Sequence, residues 1–376
     1  MEFIINNECL DKAISDVSRA VSLNTPFPIL TGIKIVANKN TLSLTGSNSN
    51  IVIEKVIPLT VEGLRVLEVI TTGSVVVPAK YLSEIVKKLS NDIRVKVNDK
   101  QCVTIQSDEI VTSLNGFDSE EYPSLPEIDL NHNIKISSEA LLQIINQTIF
   151  AVGASETRPV LTGVNMTFEQ NKLTCAATNS SRLALGEIEI ESAVNGSFIV
   201  PSPSLKELSK LINVDSGEIN IFISKSHIIF KINSTTLFSR LIVGNYPNVS
   251  DLIPKDFMTI ITLDTKQFLK GIDRACLFAS EWKNNNITLD IKDDLKIKIS
   301  SNSTEIGKIE ETQSIKNLSG LNELSISLDG RFLMDALKII KEEQIKITFS
   351  GPMKPISIQP INNTTHLHLI SPVRSY

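Results

Sequence analysis

The sequence predicts an α+β fold in which helices lie on one face of antiparallel sheets. Three observations predict it: an internal repeat, six segments in which apolar residues recur at helical spacing, and many short runs in which apolar and polar residues alternate. A length of 376 residues is more than one ordinary core accommodates, which favours two or three domains.

The internal repeat sets the domain organisation. The string PILTG at 28–32 returns as PVLTG at 159–163, each time after an amphipathic segment and before two β-type runs. The strings VVVP at 75–78 and FIVP at 198–201 each lead into a helix and end near a Tyr-Pro pair. A more diverged third copy starts near Gln267. We therefore predict three domains, each built from two similar halves: 1–126, 127–253 and 254–376.

Each half is predicted to contain one helix and several strands. In the first helix the apolar residues Leu10, Ala13, Ile14 and Val17 recur at helical spacing. Alternating runs such as IRVKV at 93–97 and IKITF at 345–349, bounded by Asn, Asp, Gly or Ser, predict half-buried strands. The predicted helices are 8–21, 80–90, 138–152, 204–212, 265–279 and 331–341.

Charge is distributed unevenly between the helices and the rest of the chain. The six helical windows hold 13 Lys or Arg and 8 Asp or Glu, although the formal charge of the whole chain is −5. An acidic protein does not coat DNA by net attraction, but it can gather basic residues on one face. A modest basic excess on helices is common, because Lys and Arg are good helix formers. A repeat of three domains could close into a ring, and this favours the interpretation that the basic helices share one positively charged face.

Cellular location and redox state follow from what the sequence contains. Four cysteines, Cys9, Cys102, Cys175 and Cys276, are scattered without a C-x-x-C pair, so we expect buried thiols in a reducing cytoplasm. The N-terminal string MEFIINNECLDK does not resemble a signal peptide, and no run approaches the roughly 18 apolar residues of a membrane span. A cytoplasmic protein without membrane attachment is expected.

No catalytic or cofactor motif stands out. The phosphate-binding and nucleophile patterns G-x-x-x-x-G-K-[ST], G-x-G-x-x-G and G-x-S-x-G are all missing from the sequence. His366 and His368 could start a metal site, but no Asp, Glu or Cys is near them in sequence, which favours a surface strand with two histidines. We expect no catalytic residues, no metal and no cofactor; a hydrolase has little in its favour.

Several sequence strings resemble those of one protein family. They are spread over essentially the whole chain and occur in the same order as in that family. They are PILTGIKI at 28–35 with LTGS at 44–47, RPVLTGV at 158–164 with ATNSSRLA at 177–184, GNYP at 244–247, and the terminal SPVRSY. Together they resemble the bacterial sliding clamp, the beta subunit of DNA polymerase III. That resemblance implies three similar domains per subunit and a head-to-tail homodimeric ring, with helices lining a central hole around double-stranded DNA.

The resemblance also implies partners and site residues. It implies binding to DNA without regard to sequence. It also implies a pocket that binds short peptides with hydrophobic anchors, which belong to the DNA polymerase III alpha subunit, the clamp loader, repair polymerases and mismatch repair proteins. The implied pocket residues are Leu161, Thr178, Arg182, Leu183, Pro247, Leu252, Phe332, Met353, Pro372, Val373 and Arg374. The implied DNA-facing residues are Arg19, Lys80, Lys87, Lys206, Lys210, Lys270, Arg274 and Lys338. The implied dimer contacts are Thr112 and Leu114 with Leu277 and Phe278.

The sequence departs from the family's pattern at a few positions. Asn179 and Ser181 stand where the family usually has an acid and a histidine, and Asn24 and Ser202 stand where basic residues are common. These departures leave an alternative open: a specialised second clamp, or a protein-interaction scaffold of the same fold with weakened DNA contact.

Overall fold

The computed structural model describes the chain apart from residues 23, 128–132, 155–156, 193, 214–215, 280–285, 293–294, 364 and 374–376. Its contacts divide the chain into two compact units. The first unit comprises Met1–Glu139 with Pro203–Leu241, and the second comprises Ala140–Ser202 with Ile242–Tyr376.

In the part of the chain that the structure describes, six α-helices form at the predicted places. In α1 the residues at helical spacing, Leu10, Ala13, Ile14 and Val17, are all buried, and the Asn6 side chain caps the helix by accepting from the Cys9 amide. The helices are α1 (Asn7–Ser18), α2 (Ala79–Val86), α3 (Ser138–Thr148), α4 (Ser202–Leu211), α5 (Thr265–Ala279) and α6 (Gly330–Ile339). The helix predictions are thus confirmed, with ends that differ by a few residues.

The strands of the described residues are short and antiparallel. They are β1 (Glu2–Ile5), β2 (Gly32–Ala37), β3 (Thr41–Ser47), β4 (Ile51–Pro58), β5 (Thr60–Val61), β6 (Leu64–Arg65), β7 (Leu67–Thr71), β8 (Gly73–Pro78), β9 (Ile93–Val97), β10 (Cys102–Ser107), β11 (Ile110–Asn115), β12 (Ile134–Ser137), β13 (Gly163–Glu169), β14 (Lys172–Thr178), β15 (Arg182–Glu189), β16 (Gly196–Pro201), β17 (Glu218–Ile223), β18 (His227–Ile232), β19 (Thr235–Arg240), β20 (Thr259–Asp264), β21 (Asn286–Lys292), β22 (Lys296–Ser303), β23 (Gly307–Ser314), β24 (Asn317–Gly320), β25 (Leu324–Asp329), β26 (Gln344–Phe349), β27 (Ile356–Pro360) and β28 (His366–Ile370).

In the first unit one sheet runs across a predicted domain boundary. Its eight strands lie in the order β12-β17-β18-β19-β4-β3-β2-β8, and Thr235 on β19 pairs with Lys55 on β4. A second sheet has the order β11-β10-β9-β1-β7, which leaves β11 at an edge. Helices α1 and α2 pack against one another in this unit.

The second unit repeats this plan. Its nine-stranded sheet has the order β16-β13-β14-β15-β28-β27-β26-β20-β24. Here β15 pairs with β28 across the predicted boundary between the second and third domains, as β19 pairs with β4 across the boundary between the first and second. A four-stranded sheet has the order β23-β22-β21-β25, and α5 packs against α6. The α+β class with antiparallel sheets is confirmed. Among the described residues, no helix is both long and apolar enough to cross a membrane.

Two sequence expectations about buried residues are wrong. His366 and His368 do not lie on a surface strand: their exposed fractions are 3% and 1%, because Gln147 of α3 and the Phe150 ring cover the face of β28 that carries them. Among the cysteines only Cys175 is buried, and the other three are partly exposed free thiols.

Candidate functional site

A tight turn between β14 and β15 forms one side of a cavity in the second unit. The Asn179 side chain accepts hydrogen bonds from the amides of Ser181 and Arg182, both at 3.0 Å. The Thr178 hydroxyl donates to the Arg182 carbonyl at 2.6 Å. An amide oxygen at position 179 does here what a carboxylate oxygen would do, so the Asn179 departure preserves the turn.

A half-buried tyrosine supports the same turn from beside it. The Thr178 amide donates to the Tyr246 hydroxyl oxygen at 3.0 Å. Burial raises the pKa of Tyr246 to about 12, so the phenol stays protonated at neutral pH. Tyr246 is followed by Pro247, which therefore lies close to the turn.

Arg182 connects the turn to α6. Its Nη1 donates to Asp335 Oδ2 at 2.6 Å, and its Nη2 donates to the Phe150 carbonyl. The guanidinium lies 4.5 Å from the Phe332 ring centroid and 5.3 Å from the Phe150 ring centroid. Because only 11% of this side chain is exposed, the stacking and the charge-assisted bonds hold it in one orientation.

The cavity beside this turn has a volume of about 290 Å³ and a largely apolar lining. The buried residues Leu183 and Leu369 face one another across β15 and β28, and both belong to a small core cluster with Leu367. Pro247 and Leu252 close another side. An apolar cleft with a few polar groups suits recognition of a short peptide. The lining comprises Arg158, Leu161, Thr178, Ser180, Arg182, Leu183, Pro247, Leu252, Pro355, Leu369 and Ser371.

The structure brings together more than half of the predicted pocket residues. Leu161, Thr178, Arg182, Leu183, Pro247 and Leu252 line the cavity. Phe332 packs on Arg182, and Met353 is exposed two residues before Pro355. Pro372 and Val373 are half-buried beyond Ser371, with the Val373 amide bonded to the Ser327 carbonyl, while Arg374 lies outside the described residues.

Five lining residues were missed. Arg158, Ser180 and Ser371 lie within strings that the sequence analysis quoted, so their positions beside predicted pocket residues were an available signal. Pro355 and Leu369 reach the cavity through the strand order β15-β28-β27, which no local pattern reveals.

The predicted DNA-facing residues are on or next to helices. Seven of the eight are exposed, and Arg19 is half-buried. Three of the eight take part in ion pairs: Arg19 with Glu207 at 3.6 Å, Lys210 with Glu207 at 2.8 Å, and Arg274 with Glu311 at 2.6 Å. These pairs reduce the positive charge that the helices present.

The predicted dimer contacts are at surface positions of the two units. Thr112 and Leu114 are half-buried on the edge strand β11, where Val111 is 61% exposed. Leu277 on α5 is 67% exposed, and Phe278 is half-buried. Exposed apolar side chains on an edge strand and a helix are typical of surfaces that a partner covers.

Two buried histidines lie behind the cavity, on the α3 side of β28. Burial, together with the smaller effects of the His366 and Arg182 charges, lowers the pKa of His368 to about 3. Burial also lowers the pKa of His366, while Glu342 opposes that shift. The His366 Nδ1 contacts the Gln147 amide nitrogen at 3.2 Å, and the His368 ring packs on Phe150. Among the described residues no cluster of metal-ligating side chains forms.

The lowered pKa values of these two histidines predict that the folded chain loses stability in mild acid. Their pKa values are lower in the folded state than the ordinary 6.5, so below pH 6.5 the unfolded state takes up more protons. We expect the free energy of unfolding to fall by about 1.4 kcal/mol per pH unit for each fully shifted imidazole. His368→Leu should flatten that slope in urea titrations between pH 7 and pH 5. Burial and the Arg240 charge also lower the pKa of the half-buried His227, so His227→Asn should flatten the slope less than His368→Leu does. An unchanged slope in His368→Leu would contradict the assignment.

Comparisons with known proteins match the chain from end to end. Family models of the DNA polymerase III beta subunit match in order: the N-terminal domain at residues 1–126, the central domain at 135–248 and the C-terminal domain at 250–374. The beta sliding clamp of Bacillus subtilis is 42% identical over 379 residues, with all of both chains covered.

Solved structures agree with that match. The crystal structure of the Bacillus subtilis DNA polymerase sliding clamp superposes with a TM-score of 0.97, at 42% identity and with all of both chains covered. The beta subunit of Streptococcus pyogenes DNA polymerase superposes with a TM-score of 0.94, at 31% identity and with all of both chains covered.

Proposed function

The chain belongs to the sliding clamp family, the beta subunits of DNA polymerase III, and we propose that two copies close head to tail around duplex DNA. It is a non-catalytic processivity factor and not an enzyme. It binds DNA and replication proteins and dimerises, as its family does. The observation that carries this function is the match of all three family models, in order, across the chain.

We propose that the exposed lysines on the helices face DNA. Within the first unit Lys80 and Lys87 lie on and just after α2, which packs on α1, and within the second unit Lys270 and Lys338 lie on the packed pair α5 and α6. A closed ring prevents escape by topology, so moderate attraction to phosphates is sufficient and allows sliding. The ion pairs of Arg19, Lys210 and Arg274 keep that attraction moderate.

Charge reversal on α2 tests this orientation. We expect Lys80→Glu with Lys87→Glu to weaken binding to a 30-base-pair duplex and to lower the slope of log K against log salt by about two. Fluorescence anisotropy between low and moderate salt measures both quantities. The matched control is Lys39→Glu with Lys100→Glu, which makes the same charge change at exposed turns between strands. Equal effects of the two double variants would contradict a DNA-facing α2.

We propose that the 290 Å³ cavity receives short peptides of the polymerase alpha subunit, the clamp loader, repair polymerases and mismatch repair proteins. Its leucines and prolines offer apolar contact, while Arg158, Ser180 and the 178–182 turn offer hydrogen bonds at the rim. Three domains with boundaries at 1–126, 127–253 and 254–376 and a cytoplasmic location complete the proposal.

The alternative, a scaffold of the same fold with weakened DNA contact, rests on the departures from the family pattern. Asn24 and Ser181 are exposed, but Ser202 is buried at the start of α4, so that position does not present a surface charge. A primer-template assay with and without the clamp loader separates the two functions. Loading onto DNA supports the clamp, and peptide binding without loading supports the scaffold.

A further inference from the structure

Three apolar side chains are exposed close to the cavity. Met258, Leu321 and Met353 have exposed fractions of 48%, 55% and 61%. We call these three residues the apolar ledge. Exposed apolar groups that lie together, unlike isolated ones, are typical of a binding surface.

The cavity and the apolar ledge lie along one end of the nine-stranded sheet. Strands β15, β28, β27, β26, β20 and β24 are consecutive neighbours. Their registers align one end of each, because the following pairs are direct partners: Arg182 with Ile370, Ile370 with Ile356, Ile356 with Phe349, Phe349 with Thr259, and Thr259 with Gly320. The turn that forms the cavity is at one side of this row, and Leu321 is at the other.

Local contacts connect the residues between these two sides. The Leu321 amide donates to the Met258 carbonyl at 2.9 Å, and the Met258 amide donates to the Phe349 carbonyl at 2.8 Å. A Cβ on Gly351 would lie 3.8 Å from the Met258 sulfur, so this side chain extends towards the loop that carries Met353. The same loop continues to Pro355, a wall of the cavity. A row of neighbouring residues therefore leads from the cavity wall at Pro355 to Leu321, and Met353, Met258 and Leu321 are its exposed apolar members.

We infer that the apolar ledge binds the part of the partner polypeptide that adjoins the anchored peptide. This inference rests on the proposed peptide-binding function of the cavity. The occupant it fits is an extended segment with one or two large apolar side chains, because the surface begins where the anchored peptide would end.

Sheet geometry fixes where those apolar side chains fall. Strands β27 and β24 are three strand spacings apart, which is about 15 Å at about 4.8 Å per spacing. An extended chain advances about 3.3 Å per residue, so the second contact lies about four or five residues from the anchor. Methionine side chains are flexible, and two of them let the ledge accept different partner sequences.

Two synthetic peptides test the inference. The reference peptide is the tightest binder among fluorescein-labelled seven-residue peptides that carry Leu and Phe anchors. Each extended peptide adds six residues to one end of the reference peptide, either the N-terminal or the C-terminal end. Counted outward from the reference peptide, the fourth and fifth added residues are both Leu in the test peptides and both Ser in the control peptides. We expect Leu to improve affinity over Ser by about tenfold at one of the two ends.

The double variant Met258→Ser with Leu321→Ser should remove that gain and leave the affinity for the reference peptide unchanged. Ile306→Ser, at another exposed apolar position of the second unit, is the matched control and should keep the gain. Two results would overturn the proposed binding at the apolar ledge: no difference in affinity between the Leu and Ser extensions, or a gain that survives the double variant. Either result would leave the proposed peptide binding in the cavity intact. Failure of the reference peptide to bind at all would overturn the proposed cavity function and the ledge with it.

Discussion

Replacing Leu252 with serine is expected to raise the dissociation constant of the reference peptide by about thirtyfold. Leu252 lines the cavity and is 47% exposed in the free chain, so a bound apolar anchor would cover it. Truncating a central apolar contact in an interface costs about 2 kcal/mol or more, and every 1.4 kcal/mol is about tenfold in affinity. Fluorescence polarisation measures the change, and primer-extension length measures its effect on polymerase tethering.

A matched serine substitution separates lost contact from lost stability. Leu64 on β6 is also an exposed leucine, but it lies in the first unit, far in sequence from every lining residue. Both substitutions should change the free energy of unfolding by no more than about 0.5 kcal/mol, since neither leucine is buried. If Leu252→Ser binds the peptide as tightly as Leu64→Ser does, the cavity is not the peptide site.

Introducing a charge at Leu277 is expected to split the dimer. Leu277→Asp places a carboxylate on α5 where the side chain is 67% exposed and where the proposed partner contact lies. A buried carboxylate without a partner costs several kcal/mol, and a loss of about 4 kcal/mol raises a dissociation constant about a thousandfold. Sedimentation should give 41.4 kDa in place of twice that mass.

The same charge at Leu64 gives the control for the dimer. Leu64→Asp should leave the mass at twice 41.4 kDa, because β6 belongs to a separate two-stranded sheet. Loading onto DNA should fail for Leu277→Asp and proceed for Leu64→Asp. A dimeric Leu277→Asp would place the subunit contact elsewhere.

The helices could be predicted from the sequence because the apolar residues that each helix buries recur at helical spacing within one short segment. In α5 the residues Phe268, Ile272, Ala275 and Ala279 recur at helical spacing, and all four are buried. The alternating runs at β9 and β26 were predicted for the same reason, since one face of each strand packs on the core.

Strand order could not be predicted, and this limited the prediction of the site. Leu369 and Ser371 meet Leu183 and Ser181 because β28 pairs with β15, a contact between distant parts of the chain. The sequence of β28 alternates His and Leu, which predicts that the histidines face solvent, but every residue of the strand is buried. The six predicted residues that line the cavity came from the family resemblance and not from periodicity.

Retention on circular against linear DNA tests the central claim most directly. The clamp is loaded with a clamp loader onto a nicked circular plasmid, passed through a gel-filtration column in high salt, and compared with a sample linearised after loading. A ring held by topology stays on the circle, because salt screens phosphate contacts but does not open a closed dimer, and it slides off the linear ends. Equal loss from both DNAs, or equal retention on both, would contradict an encircling clamp.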